Sequence, residues 1–239
     1  MISEIFTVNG ILRRFSLALL LCISATAANV RADLKDDTER AQKAAEVLSD
    51  VMRTPDKGIP KDILDRASAI AVIPHVVKGA FGIGGRWGKG LIAKRNANGT
   101  WGTPSYIEIG GASVGFQLGV TATDLILVFT ETTALKRLFG DRLKLGADAA
   151  VAAGPVGRSA EAGVSGSLNT PIFSYSRTKG LFAGVSLDGA GLSIDDSANH
   201  SVYGKNVTGR DILDGKVKPT PVVMPFLNAL QRNVPRKTS

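Results

Sequence analysis

One cysteine and two histidines in 239 residues leave little of the usual equipment of a catalytic or metal site. The cysteine, Cys22, lies inside the apolar run Phe15 to Ser24, behind Arg13 and Arg14 and ahead of the small residues Ala25, Thr26, Ala27 and Ala28. A short basic stretch, an apolar segment and a small-residue exit have the form of a secretory leader. Cleavage is expected after Ala27 or Ala32, and the run falls short of the roughly 20 residues of a spanning helix. A retained N-terminal anchor is the other reading of this segment. Leu21 stands where a lipoprotein leader has a small residue, so Cys22 is expected to leave with residues 1–32. The 207 residues that follow then carry no thiol. That excludes disulfides, thiolate metal sites and cysteine nucleophiles, and the core must hold the fold unaided.

The two histidines, His75 and His200, are far apart, and neither has an acidic neighbour at ligand spacing. The chain has no HExxH, no paired His/Cys set and no Asp-rich calcium loop, so no metal is expected. Gly111-Ala112-Ser113-Val114-Gly115 has the letters of a nucleophile elbow, but its neighbours read as strand on both sides, where a strand-to-helix turn is required. The cluster Gly82-Ile83-Gly84-Gly85-Arg86-Trp87-Gly88-Lys89-Gly90 suggests a phosphate loop. Gly90 stands in place of the hydroxyl, and a strand rather than a helix follows, so no nucleotide is expected. No catalytic set emerges, and a non-enzymatic protein without a cofactor is expected.

Charge is in moderate excess. The whole chain carries a net +8, and without Arg13, Arg14, Arg31 and Glu4 of the leader it keeps 26 basic and 20 acidic residues, a net +6. There is no Lys/Arg block of the kind that marks a nucleic-acid arm, and export argues against nucleic acid as a partner. Anionic lipid head groups are the better match. Several cations stand beside glycine turns: Lys78, Arg86, Lys89, Lys94 and Arg95 on a first hairpin and its neighbour, Arg177 and Lys179 before Gly180. Most such residues are ordinary solvated charges, yet each contributes about 1 kcal/mol when held near an anionic surface.

Residues 33 to 54 read as an amphipathic helix, with Asp33 as cap and Ala41, Ala44, Ala45, Leu48, Val51 and Met52 at helical spacing. Its apolar face is mostly alanine, which favours core packing over a membrane-surface helix. A shorter helix is expected over Lys61 to Ala67. From Ser68 to Ile194 glycine becomes frequent and short β-prone runs alternate with turns. The expected strands are Ala69–Ile73, Val76–Ile83, Gly90–Arg95, Tyr106–Ile109, Ser113–Thr121, Leu125–Thr130, Ala147–Ala153, Ala162–Leu168, Ile172–Ser176 and Leu181–Leu187. Asn96-Ala97-Asn98-Gly99 is a hairpin turn, and the continuously apolar Leu125 to Phe129 fits a central strand buried on both faces. A single helix is expected at Thr132–Phe139. Asp195 and Thr208 can cap helices reaching Tyr203 and Leu213, and a last helix spans Val222 to Arg232. Glycine at so many strand positions suits a strongly curved sheet. The expectation is one α+β domain over residues 33–239: a curved, glycine-rich antiparallel sheet, barrel-like or sandwich, with helices at both ends. An outer-membrane barrel is the competing architecture, opposed by scattered aromatics and a polar C-terminus.

Several of these runs together resemble one family. Ile73-Pro74-His75-Val76-Val77-Lys78-Gly79 with the glycine cluster, Gly99-Thr100-Trp101-Gly102-Thr103-Pro104-Ser105, Gly115-Phe116-Gln117-Leu118-Gly119, Asp124-Leu125-Ile126-Leu127-Val128, Gly154-Pro155-Val156-Gly157-Arg158 and Ser174 to Gly184 are similar to the SYLF (Ysc84-type) domain. The resemblance covers about Ala41 to Leu213. It implies a lipid-binding domain, with a basic surface and N-terminal helix as membrane contacts. Residue by residue it marks Lys78, Arg86 and Lys89 in one motif and Arg177 and Lys179 in another as lipid-binding candidates. Bacterial members are exported single-domain proteins, whereas some eukaryotic members also engage actin. With no SH3 or FYVE module and a leader in place, actin is not expected. The expected setting is periplasmic or otherwise exported, peripheral to a membrane and facing acidic phospholipid.

Overall fold

The computed structural model describes residues 33–53, 58–81, 83–113, 119–140, 142–157, 170–178 and 180–235. Residues 1–32, where a leader is expected, the expected strand Ala162–Leu168 and Lys179 lie outside the described residues.

Helix α1 (residues 33–52) buries Ala41, Ala44, Ala45, Val47, Leu48 and Val51, so its alanine face packs on the core as its small side chains suggest. Helix α2 (Lys61–Arg66) follows and buries Ile63 and Leu64. Four long strands come next: β1 (Ala69–Phe81), β2 (Ile83–Lys94), β3 (Ser105–Ser113) and β4 (Gly119–Phe129). Helix α3 (Thr132–Leu138) leads to β5 (Leu143–Lys144), β6 (Val151–Ala153), β7 (Ile172–Thr178), β8 (Leu181–Gly184) and β9 (Gly191–Ile194). Three helices close the chain: α4 (Asp196–Tyr203), α5 (Gly209–Leu213) and, after a 3-10 turn at Pro221–Val223, α6 (Met224–Asn233).

The strands form one sheet in the order β5-β9-β3-β2-β1-β4-β7-β6, with β8 paired to β7, curled into a half-barrel. All pairings are antiparallel except β6 on β7, which is parallel. The sheet is therefore mixed, where an antiparallel one was expected. Strand alternation divides the core into two layers. Ile70 and Val72 of β1 and Ile126 and Val128 of β4 face α1, α2 and α6 on the first face. Ala69, Ala71 and Ile73, with Leu125, Leu127 and Phe129, face α3, Leu143 and Leu187 on the second. Leu125 to Phe129 is buried on both sides, as its apolar run predicts. A membrane barrel instead turns alternate residues to lipid.

Sequence reading split β1 at Pro74, yet the strand runs through it. A bulge absorbs the interruption: Ile73 pairs with Leu125, and the next partners are Val76 and Thr123. His75 takes the left-handed conformation there (φ 52°), and its backbone N–H donates to Asp124 Oδ1 at 3.1 Å. The bulge also explains two glycines of β2. A Cβ on Gly88 would lie 2.8 Å from Val76 Cγ2, and one on Gly90 would lie 2.7 Å from Ile73 Cα. The glycine cluster is thus extended strand over residues 83–94 rather than a phosphate loop. Gly111, Ala112 and Ser113 of the elbow motif end β3 in extended backbone, and Val114 and Gly115 lie outside the described residues. The turn at Asn96 to Gly99 is present, with Gly99 at φ 81° and an Arg95–Trp101 bridge across it.

Candidate functional site

Position along the sheet decides what each candidate cation can do. Lys78 on β1 and Arg86 on β2 are direct partners in the ladder, and Lys78 also faces Thr121 of β4. The β1 bulge puts Lys78 on the second face together with Val76, and Arg86 reaches the same face from β2. Both side chains are half-buried, and neither has an ion-pair partner among the described residues. They line a cleft of about 230 Å³ whose other polar walls are Thr121, Thr123, Ser176 and Ser186. Val76, Leu125, Val185 and Leu187 complete it.

The electrostatics of the cleft favour an anion. Arg86 Nε is buried without a hydrogen-bond partner, an unusual state for a polar atom in a folded protein. Burial holds the Arg86 guanidinium below its ordinary pKa, while the Asp188 carboxylate nearby pulls the other way. Asp188 is itself engaged, accepting from Ser186 Oγ at 2.7 Å. Thr123 and Thr178 share a hydrogen bond of 2.8 Å at the cleft wall. An anion entering here would meet two cations and hydroxyl groups, one cation with a donor still unused. Such charge-assisted bonds are about twice as strong as neutral ones.

Lys89 and Arg177 face the other way. Lys89 stands three residues beyond Arg86, so strand alternation turns it to the first face. Its Nζ lies 2.8 Å from Asp195 Oδ2, and Arg40 Nη1 lies 3.2 Å from the same atom. Asp195 also caps α4, accepting from the Ala198 N–H at 3.1 Å. Arg40 contacts Asp37 at 3.4 Å and its guanidinium lies 5.4 Å from the Tyr106 ring centroid, while Tyr106 Oη donates to the Asp37 carbonyl at 2.9 Å. This buried network ties α1 and α4 to the sheet. Burial raises the Asp37 pKa, with Arg40 opposing. Arg177 binds Asp50 of α1 at 2.8 Å and approaches Asp124 at 3.7 Å.

The structure therefore brings Lys78 and Arg86 together and engages Lys89 and Arg177 in ion pairs elsewhere. Sequence reasoning missed the hydroxyl wall. Thr121 and Thr123, two apart on one strand, were the available signal; Ser176 and Ser186 join them only through the fold. Among the described residues no group of three or more His, Cys, Asp or Glu side chains could hold a metal ion. No helix there is long and apolar enough to cross a membrane.

Residues 110–233 match the family described as "Ysc84: Las17-binding protein actin regulator". The chain is 39% identical over 204 residues to LAS seventeen-binding protein 3 of Saccharomyces cerevisiae, covering 83% of this chain and 44% of that protein. The chain belongs to the Ysc84 (SYLF) family. Protein YSC84 of the same yeast is 40% identical over 207 residues, covering 83% of this chain and 43% of the relative. SH3 domain-containing YSC84-like protein 1 of Mus musculus is 33% identical over 195 residues, covering 80% and 57%. The chain thus spans about half the length of these relatives, which are named for binding or domain content rather than for a reaction.

Proposed function

We propose that this Ysc84-family chain is an exported, non-enzymatic module that docks peripherally on acidic phospholipid, with Lys78 and Arg86 taking up headgroup phosphate. The observation that carries the reading is the Lys78–Arg86 pair, held side by side with no ion pair among the described residues, only Asp188 acting on Arg86 from nearby, and with Arg86 Nε buried and unused. The hydroxyl-lined cleft between them is smaller than the roughly 300–1,000 Å³ of a drug-sized site, which suits a headgroup better than an acyl chain. Lys89 and Arg177 have structural ion-pair roles in this reading. The leader-like N-terminus supports a periplasmic setting.

Two cations near an anionic surface contribute about 2 kcal/mol together, roughly thirtyfold in affinity. Attraction of this kind weakens as salt rises. Co-sedimentation with neutral and anionic vesicles at two ionic strengths tests the reading. Binding to anionic vesicles only, weaker at high salt, is expected; equal binding to both, or binding indifferent to salt, contradicts it. The family's description names Las17 binding and actin regulation, which favours a second reading, a protein-interaction module without direct lipid contact. Failure to bind any vesicle would move the assignment there.

A further inference from the structure

Four large apolar side chains among the described residues are exposed: Leu34, Val77, Trp87 and Leu181. Val77 and Trp87 sit together on the first face, and Leu181 lies toward the same end of the sheet on the reverse face, beyond β4 and β7. β4 lies between β1 and β7 and is antiparallel to both, so β1 and β7 run the same way and end toward the same side. Val77 and Trp87 are cross-strand partners toward the end of β1, and Leu181 pairs with Thr178 at the end of β7. Trp87 is 55% exposed, Val77 41% and Leu181 79%.

Glycines flank the Val77–Trp87 pair, and two cations lie on the same strands. Gly79 and Gly85 pair next to Val77 and Trp87, and a Cβ on Gly79 would meet nothing within 4 Å. Lys78 and Arg86 occupy the same two strands with their side chains on the reverse face. Arg142 Nη2 donates to the carbonyl of Gly110, the ladder partner of Trp87, at 3.3 Å. The acids on the first face nearby are engaged: Asp124 accepts from His75 N–H and lies 3.7 Å from Arg177, and Glu108 accepts from Ser193 Oγ at 3.4 Å. Asp188, on the reverse face, accepts from Ser186. An exposed tryptophan beside an apolar neighbour, with two cations on the same strands, is the composition of a surface that sits at the level of lipid headgroups.

We propose that this end of the sheet enters an acidic lipid surface edge-on, with Trp87 as the apolar anchor, supported by Val77 on the same face, while Lys78 and Arg86 meet the phosphates at the same depth. The inference rests on the lipid-docking reading and adds which part of the molecule makes contact. Two cations alone give a weak attachment, and burial of the exposed apolar groups supplies the remainder.

The protein carries its own probe. Its second tryptophan, Trp101, is only 5% exposed, with its indole N–H donating to the Val234 carbonyl at 2.8 Å, so it forms a constant background. Emission of the full chain is recorded with anionic vesicles whose acyl chains are brominated, for the wild type and for Trp87→Phe. A blue shift and quenching in the wild type, absent in Trp87→Phe, together with about tenfold weaker sedimentation of Trp87→Ala, are expected. Binding to vesicles with no quenching of Trp87 would overturn the anchor and leave docking in place. Absence of binding to any vesicle would remove both. Self-association that Trp87→Ala abolishes would assign the patch to a second copy and overturn the inference. Trp87 lies outside both core layers, and an unchanged unfolding midpoint for each variant confirms that the fold is intact.

Discussion

Lys89 Nζ lies 2.8 Å from the Asp195 carboxylate on one face of β2, while Arg86, three residues earlier, stands on the other face with its Nε buried and unpartnered. Neighbouring cations of one motif thus have separate surroundings. Replacing Lys89 by Met leaves a nearly buried carboxylate with Arg40 as its remaining cation. Since Lys89 itself is part exposed, the loss is expected to be about 1–2 kcal/mol of stability, below the figure for a fully buried pair. Denaturant midpoints check this, and vesicle affinity should stay within about twofold on correcting for the unfolded fraction. An unchanged midpoint with lost affinity would reverse the assignment.

Tyr175 carries a different kind of unspent group. Its ring stacks on Phe182 with centroids 5.2 Å apart, and its hydroxyl is buried without a hydrogen-bond partner. Burial pushes its pKa upward, so the phenol remains neutral. Tyr175→Phe keeps the stack and removes the unsatisfied oxygen. A gain of about 1 kcal/mol in unfolding free energy is expected. A loss of that size would mean that the hydroxyl has a partner in solution.

Asp37 gives the pH response a sign. Its folded pKa lies above the ordinary carboxylate value because burial outweighs the attraction of Arg40. The folded state then binds a proton more readily than the unfolded chain. The stability contribution is complete below the unfolded pKa, near 4, and is lost as pH rises through the folded value. Relative to Asp37→Asn, the wild type should therefore gain stability on going from pH 7 toward 4. Paired denaturant titrations at those two values measure it, and a relative loss on acidification would contradict the account.

Much of the frame was legible because the signals were local. The alanine face of α1, the Asp195 and Thr208 caps and the Asn96–Gly99 turn each depend on residues within a few positions of one another. β1 and β2 were cut short for the converse reason. Pro74 and the glycines of residues 84–90 lower strand propensity, and what holds them extended is the bulge at His75 pressing on Gly88 and Gly90, a contact between strands. β5 and β9, of two and four residues, fell below any periodic signal. The candidate cations were found by type and motif. Their division between faces needed the bulge, which shifts Lys78 onto the same side as Arg86, and the partners Asp195 and Asp50 arrive from helices distant in sequence.

The most direct test of the central claim compares the wild type with the Lys78→Glu/Arg86→Glu double variant on the same anionic vesicles at low salt. Both side chains are only half-buried and have no ion pair among the described residues, so the fold should survive, as a thermal scan will show. Loss of attraction and gain of repulsion at two positions should reduce sedimentation at least thirtyfold, on the order of 1 kcal/mol for each charge. Undiminished binding by a folded double variant would contradict the account.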